Sequence, residues 1–154
     1  MFQTLKILAI ALLWVSGIAL AYPAQVIGIS DGDTLTVLVD KTSIKIRIAE
    51  VDAPESKQAF GTRSKQALSA LCYRVLAEIE EVSRDRYGRT VARVNCRGRD
   101  VATEQVRGGM AWVYDRYSRA DSPLYSEQAA AKAARRGLWA DKDPMPPWEW
   151  RRAR

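Results

Sequence analysis

Histidine is absent from the 154 residues. Acid–base and metal chemistry must therefore run on Asp, Glu, Lys, Tyr or Arg, which excludes His-dependent hydrolase designs before any fold is considered. Cysteine is nearly absent as well. Cys72 and Cys96 are the only two, which leaves no paired spacing for a zinc site and no histidine to activate a thiol nucleophile. The unbroken apolar run, Ile7 to Val15, falls short of the roughly 20 residues that a membrane span needs. Pro/Gly/Ser-rich linkers, low-complexity tracts and internal repeats are also missing, so residues 22–154 are expected to form one domain around one core.

Residues 1–21 carry one charged side chain, Lys6, then the apolar run, then small residues closing on Ala19-Leu20-Ala21. That is the layout of a cleaved secretory signal, and it predicts an exported protein, periplasmic or secreted, with no stable membrane anchor after cleavage. In an oxidising compartment an even pair of cysteines is usually bridged, so a Cys72–Cys96 disulfide is expected; two buried free thiols are the competing reading. The formal charge is +6, with arginines far outnumbering lysines. A guanidinium fork grips phosphate oxygens in a way an ammonium does not, which suits a polyanionic partner. Simple solubility or attraction to an anionic surface explains the charge equally well.

Apolar alternation predicts a hairpin over Gln25 to Val39 around an Asp-Gly turn, a third strand over Thr42 to Ile48, and a second hairpin from Ala77–Ser83 and Thr90–Asn95. Ile44, Ile46 and Ile48 share one face of the third strand and Arg47 takes the other, away from the core. Helical spacing of Leu68, Leu71, Cys72 and Val75 predicts a helix opening at Gly61-Thr62. A short helix capped by Asp100 closes at Gly108-Gly109, and a longer one runs from Ser122-Pro123 to Gly137. This order predicts an α+β fold, mainly β: a five-stranded Greek-key barrel of the OB type with three helices. The tail carries Pro144, Pro146, Pro147, Trp148 and Trp150. Its spacing admits a proline-rich recognition motif, but aromatics at a chain end commonly pin it to the domain, and packing is the preferred reading.

Asp31-Gly32-Asp33-Thr34 reads by itself as an ordinary turn. An EF-hand is excluded, because Leu35 holds its fifth position and Thr42 stands where the twelfth-position Glu is required. The turn has company, however. Asp52 ends a strand before Ala53-Pro54, and if the two turns are adjacent, Asp33 and Asp52 offer hard oxygen donors suited to Ca²⁺ or Mg²⁺. Arg47 and Arg89 can clamp one phosphate, and Glu55 can accept a proton from water. Phosphodiester cleavage needs these parts together: a cation, guanidinium groups and a base.

In combination, Asp-Gly-Asp-Thr at 31–34, Arg47, Val-Asp-x-Pro-Glu at 51–55 and Asp-x-Tyr-Gly-Arg at 85–89 resemble the thermonucleases, the staphylococcal nuclease-like proteins, in the family order from Gln25 to Trp139. The resemblance implies a Ca²⁺-dependent nuclease that cleaves DNA and RNA, preferably single-stranded, to 3′-phosphorylated products, and nothing in the sequence demands more than a monomer. It implies Asp33, Asp52 and the Ala53 carbonyl as Ca²⁺ ligands, Asp31 in the outer shell, Arg47 and Arg89 on the phosphate, and Glu55 as general base. Tyr87, Tyr117, Arg86 and Lys57 are then expected beside the substrate. The loop Ser56–Phe60 is shorter and poorer in lysine than in the best-known members. Asp115 stands where a second base-stacking tyrosine is expected, and Tyr114 either replaces it or packs in the core. The alternative is a non-catalytic OB-fold module that binds nucleic acid; related domains of that kind have lost the acidic and arginine positions, which are all present here.

Overall fold

In a computed structural model of the protein, residues 20–154 are described. The predicted leader, residues 1–21, lies outside them except for Leu20 and Ala21. β1 (Tyr22–Ile29), β2 (Thr34–Val39) and β3 (Thr42–Ile48) form an antiparallel meander. After the two-residue β4 (Val51–Asp52), helix α1 (Gly61–Cys72) crosses over to β5 (Leu76–Arg84), which pairs with β1. β6 (Thr90–Cys96) folds back on β5 and closes the sheet by pairing in parallel with β3. The closed order β3-β2-β1-β5-β6 is the five-stranded OB barrel.

The barrel closes because each strand buries alternate residues. Val26, Leu35, Val37, Ile46, Ile48, Ile79 and Val94 are fully or almost fully buried inside it. Leu68 and Leu71 of α1 seal one mouth, joined by Val101 and Val106 of α2 (Val101–Arg107), which follows the short β7 (Arg99–Asp100). Asp100 caps α2 by accepting from the Thr103 N–H at 2.7 Å. Next come β8 (Trp112–Val113), α3 (Leu124–Ala133), a 3₁₀ turn at Gly137–Ala140 and a short terminal helix, α4 (Pro147–Arg152). Three helices sit where the periodicity placed them, although α1 stops at Cys72, because Tyr73 turns extended and the chain enters β5, and α3 stops at Ala133, short of the expected Gly137, because Arg135 takes a positive φ. The fourth was hidden in the tail, where Pro146-Pro147 reads as a break yet supplies a proline at the start of a helix. Among the described residues no helix is long and apolar enough to cross a membrane.

The tail tryptophans pack. Trp148 meets Trp112 edge-on at 5.7 Å between ring centroids, and Trp112 in turn meets Trp139 at 4.3 Å. Cys72, at the end of α1, and Cys96, at the end of β6, form a disulfide with Cα atoms 5.5 Å apart. It ties the sealing helix to the closing strand across 24 residues of sequence. A loop of that length contributes about 3 kcal/mol by restricting the unfolded chain. Replacing both cysteines with alanine is expected to lower the unfolding free energy by about that amount, read from urea denaturation.

Candidate active site

The β1–β2 turn is held from three sides. Gly32 lies so close to α1 that a Cβ there would stand 1.7 Å from Ser64 Oγ and 2.8 Å from Ala53 Cβ. Ser64 has little room to yield, since its hydroxyl donates to the Met110 carbonyl at 2.6 Å. The Gly32 carbonyl accepts from Gln105 Nε2 of α2 at 2.7 Å, and Gln105 is itself buried. Ser64 and Gln105 had no role in the sequence reading. Their signal was there: each is a polar residue on the apolar stripe of its helix, Ser64 with Leu68 and Leu71, Gln105 with Val101 and Val106.

This clamp sets Asp33 against the loop after β4. Asp33 Oδ2 accepts the Ala53 N–H at 2.7 Å, and its Oδ1 accepts from the Thr34 hydroxyl at 3.0 Å. Asp52 is fixed by pairing with Trp112 of β8. Arg47, opposite Thr34 on β3, reaches between the two aspartates. Its Nη1 donates to the carbonyls of Ile48 at 2.9 Å and Val51 at 2.8 Å and lies 3.6 Å from Asp33 Oδ2, while Nη2 donates to Asp52 Oδ1 at 3.2 Å. Arg47 does leave the barrel core, as alternation requires, but its side chain is only 14% exposed, because the Ile48–Asp52 turn folds over it.

Asp33 presses electrostatically on both Asp31 and Asp52. Burial first, then the charge of Asp33, pushes the Asp31 carboxyl from its ordinary value of 3.8 up to about 6. The Asp52 carboxyl is also raised, chiefly by burial and further by Asp33, against the pull of Arg151 and Arg47. Arg151 was not foreseen. It comes from α4, with Nη2 donating to Asp52 Oδ2 at 2.7 Å and Nη1 to Asp52 Oδ1 at 3.2 Å and Glu55 Oε1 at 2.8 Å. The sequence carried no signal for it, since Arg151-Arg152 at a chain end reads as solvated charge. Gln58 also joins loop and tail: its Oε1 accepts the Glu55 N–H at 3.1 Å, and its Nε2 donates to the Met145 carbonyl at 2.7 Å.

Asp31, Asp33, Arg47, Asp52, Ala53 and Glu55 thus share one end of the barrel. Arg89 stands just before β6, whose Val91 pairs with Arg47, so its backbone is offset from Arg47 by about two strand residues, ~7 Å. Asp85 holds it in the turn, accepting from Arg89 Nε at 2.7 Å and from the N–H groups of Tyr87 and Arg89. These bonds outweigh desolvation and keep the Asp85 carboxyl below the usual range. Tyr87 and Arg86 are exposed at the tip of that turn, and Arg86 Nη2 donates to the Tyr87 hydroxyl at 2.7 Å. Lys57 is exposed in the loop beyond Glu55. Tyr114 follows β8, its N–H bonded to the Glu50 carbonyl at 2.8 Å, which places it near Asp52; exposed Tyr117 meets it edge-on at 5.0 Å. One face of Tyr114 is covered by Trp148, stacked 5.3 Å away and 5° from parallel.

Among the described residues no three His, Cys, Asp or Glu side chains are grouped to hold a metal ion. The donors that do face one another, Asp33 and Asp52, are oxygen-only, negatively charged and almost wholly buried. That donor chemistry fits a hard divalent cation.

Residues 45–141 match the family described as Staphylococcal nuclease homologue. The chain belongs to this family. It is 47% identical over 130 residues to an "Uncharacterized endonuclease" of Haemophilus influenzae, covering 83% of this chain and 72% of that one. It is 39% identical over 142 residues to a "Micrococcal nuclease" of Shigella flexneri (86% and 82% covered) and 40% identical over 138 residues to "Protein ParB" of Escherichia coli (83% and 78%). Arg151 and the rest of α4 lie beyond the segment that matches the staphylococcal nuclease homologue family.

Two outcomes are expected of the turn. Gly32→Ala should lower the unfolding free energy by about 2 kcal/mol in urea denaturation, because the new methyl group overlaps Ser64. Asp31→Asn should stabilise in a pH-dependent way. An acid whose folded pKa lies above its unfolded value disfavours the folded state progressively as pH rises from about 4 to about 6. The variant should therefore gain on the order of 1–2 kcal/mol relative to wild type at about pH 8 compared with about pH 4, in denaturation series run without divalent ions.

Proposed function

We propose that this protein is an exported Ca²⁺-dependent nuclease that hydrolyses phosphodiester bonds of DNA and RNA, preferably single-stranded, to 3′-phosphorylated products. The observation that carries this reading is Arg47 fixed between two buried aspartates, with Glu55 at the edge of the same cluster. The family and the relatives named endonuclease and micrococcal nuclease support it. Residues 1–21 and the disulfide support export to the periplasm or beyond.

Asp33, Asp52 and the Ala53 carbonyl would hold Ca²⁺, with Asp31 in its outer shell, and the bound ion would offset charge on the phosphate. Arg47 uses three of its five N–H groups on Ile48, Val51 and Asp52, which leaves two to bind a phosphate oxygen. Arg89 is oriented through Nε by Asp85, so its terminal nitrogens can engage the developing oxyanion. Glu55 accepts the proton of the attacking water; water oxygen bonds to phosphorus as the P–O5′ bond breaks, and the proton released goes to the 5′-oxygen. Exposed Tyr87 and Tyr117, with Arg86 and Lys57, would meet unstacked bases and backbone, which favours single strands. A monomer suffices for all of these groups.

The test incubates mature protein with denatured DNA in Ca²⁺ and in chelator. Cleavage to 3′-phosphate ends in Ca²⁺ alone is expected, and retardation of the DNA without cleavage would instead identify a binding module. Glu55→Ala and Arg89→Ala should each lower turnover by roughly 100-fold or more. Their stability should change by no more than about 0.5 kcal/mol, since neither side chain is buried.

A further inference from the structure

The tail contacts the site in a pattern that the proposed reaction does not use. Arg151 engages both oxygens of Asp52 and one of Glu55, the groups assigned above to the cation and to the proton. Trp148, one turn earlier on α4, stacks flat on Tyr114. A guanidinium therefore takes the place of a cation on a carboxylate, and an indole takes the place of a base on a tyrosine, both from one short helix. We propose that α4 is a displaceable plug, an autoinhibitory element whose Arg151 must leave Asp52 and Glu55 before a divalent cation and a single strand can occupy the site. This rests on the nuclease reading of that site.

The attachment of α4 suits displacement. The helix spans six residues, fewer than an isolated helix needs for stability, and Pro147 is its only buried residue. Arg151 itself is 42% exposed along its side chain. A separate anchor, Gln58 to the Met145 carbonyl, lies before the helix begins, so α4 can lift while the tail stays attached. The electrostatics require a choice. A divalent ion bound 2.3–2.6 Å from the Asp52 oxygens would stand within a few ångströms of the guanidinium bonded to those same oxygens, and the two cations repel in a poorly hydrated setting. Arg47 is shared between the buried Asp52 and Asp33, so Arg151 adds a second positive charge at Asp52 that a bound ion would replace. Arg151 also occupies Oε1 of Glu55, one of the two oxygens with which that carboxylate would accept a proton.

Calcium titration calorimetry on the full mature chain tests the plug. The proteins are wild type, Arg151→Met, Arg151→Lys and, as control, Arg152→Met, each checked for an unchanged thermal midpoint. Arg151→Met is expected to bind Ca²⁺ on the order of tenfold more tightly than wild type. Arg151→Lys should fall between them, and Arg152→Met should match wild type. Adding Ca²⁺ to wild type should shift tryptophan fluorescence as Trp148 leaves Tyr114, and Arg151→Met should show much of that shift before any Ca²⁺ is added. Equal or weaker Ca²⁺ binding by Arg151→Met overturns the plug, as does the absence of Ca²⁺ binding in every protein. Cleavage of denatured DNA, followed in parallel, separates the two readings. Tighter binding without cleavage in any protein keeps the plug and removes the nuclease, whereas cleavage with unaltered affinity keeps the nuclease and removes the plug.

Discussion

Asp33 and Asp52 are each less than a tenth exposed, and they approach closely enough for the charge of one to raise the pKa of the other. Two like charges in so little water are tolerable only with positive charge fixed between them. Arg47 meets that requirement and is itself immobilised by the carbonyls of Ile48 and Val51. One side chain thereby locks the start of β2, the end of β3 and all of β4 into a single geometry. The Ser64–Gln105 clamp does the same for the turn from the helical side, so the carboxylates are held by barrel and helices together. Function built on such a cluster inherits its positions from the fold rather than from the loops that display it.

Much of this was legible in the sequence because it obeys local periodicities. The β-branched alternation of Thr34–Val39 and Thr42–Ile48 located two strands of the barrel, and the spacing of Leu68, Leu71 and Cys72 located the helix that seals it. The Asp-Gly-Asp turn, Arg47 and the Val-Asp-x-Pro-Glu segment are close in sequence and stay close in space, since β2 and β3 form a hairpin and β4 follows at once. What escaped depends on how the chain turns back, nearby or far along the sequence. Arg47 alternates outward as expected, but only the returning Ile48–Asp52 turn buries it. Arg151 is separated from Asp52 by 99 residues, and nothing in its neighbourhood marks it as different from Arg152. The α4 helix was obscured by the same prolines that start it.

The aromatic residues show how the tail could be read correctly as packing and still be incomplete. Trp148 does close over Trp112 and so joins the group containing Trp139. The opposite neighbour of Trp148 is Tyr114, which sequence reasoning left between a core and a substrate-facing role. Its backbone is tied to Glu50 beside β4, and its ring face is covered by a residue of the last helix rather than by the core. Packing energy and site access are then properties of the same contact.

Net charge also has a different meaning once the arginines are located. Several spend their charge on local carboxylates, as in Arg93 with Glu80, Arg107 with Glu104 and Glu127, and Arg119 with Asp121. The basic surface can still draw in a polyanion over a Debye length. The site itself is the reverse of that surface, since Asp31, Asp33, Asp52 and Glu55 converge there and repel phosphate. A phosphodiester can approach those carboxylates only when cationic charge in front of them exceeds what Arg47 already supplies. The identity of that second cation decides the outcome: a guanidinium bonded to Asp52 and Glu55 neutralises the site and fills it, whereas a divalent ion neutralises it and leaves coordination positions open.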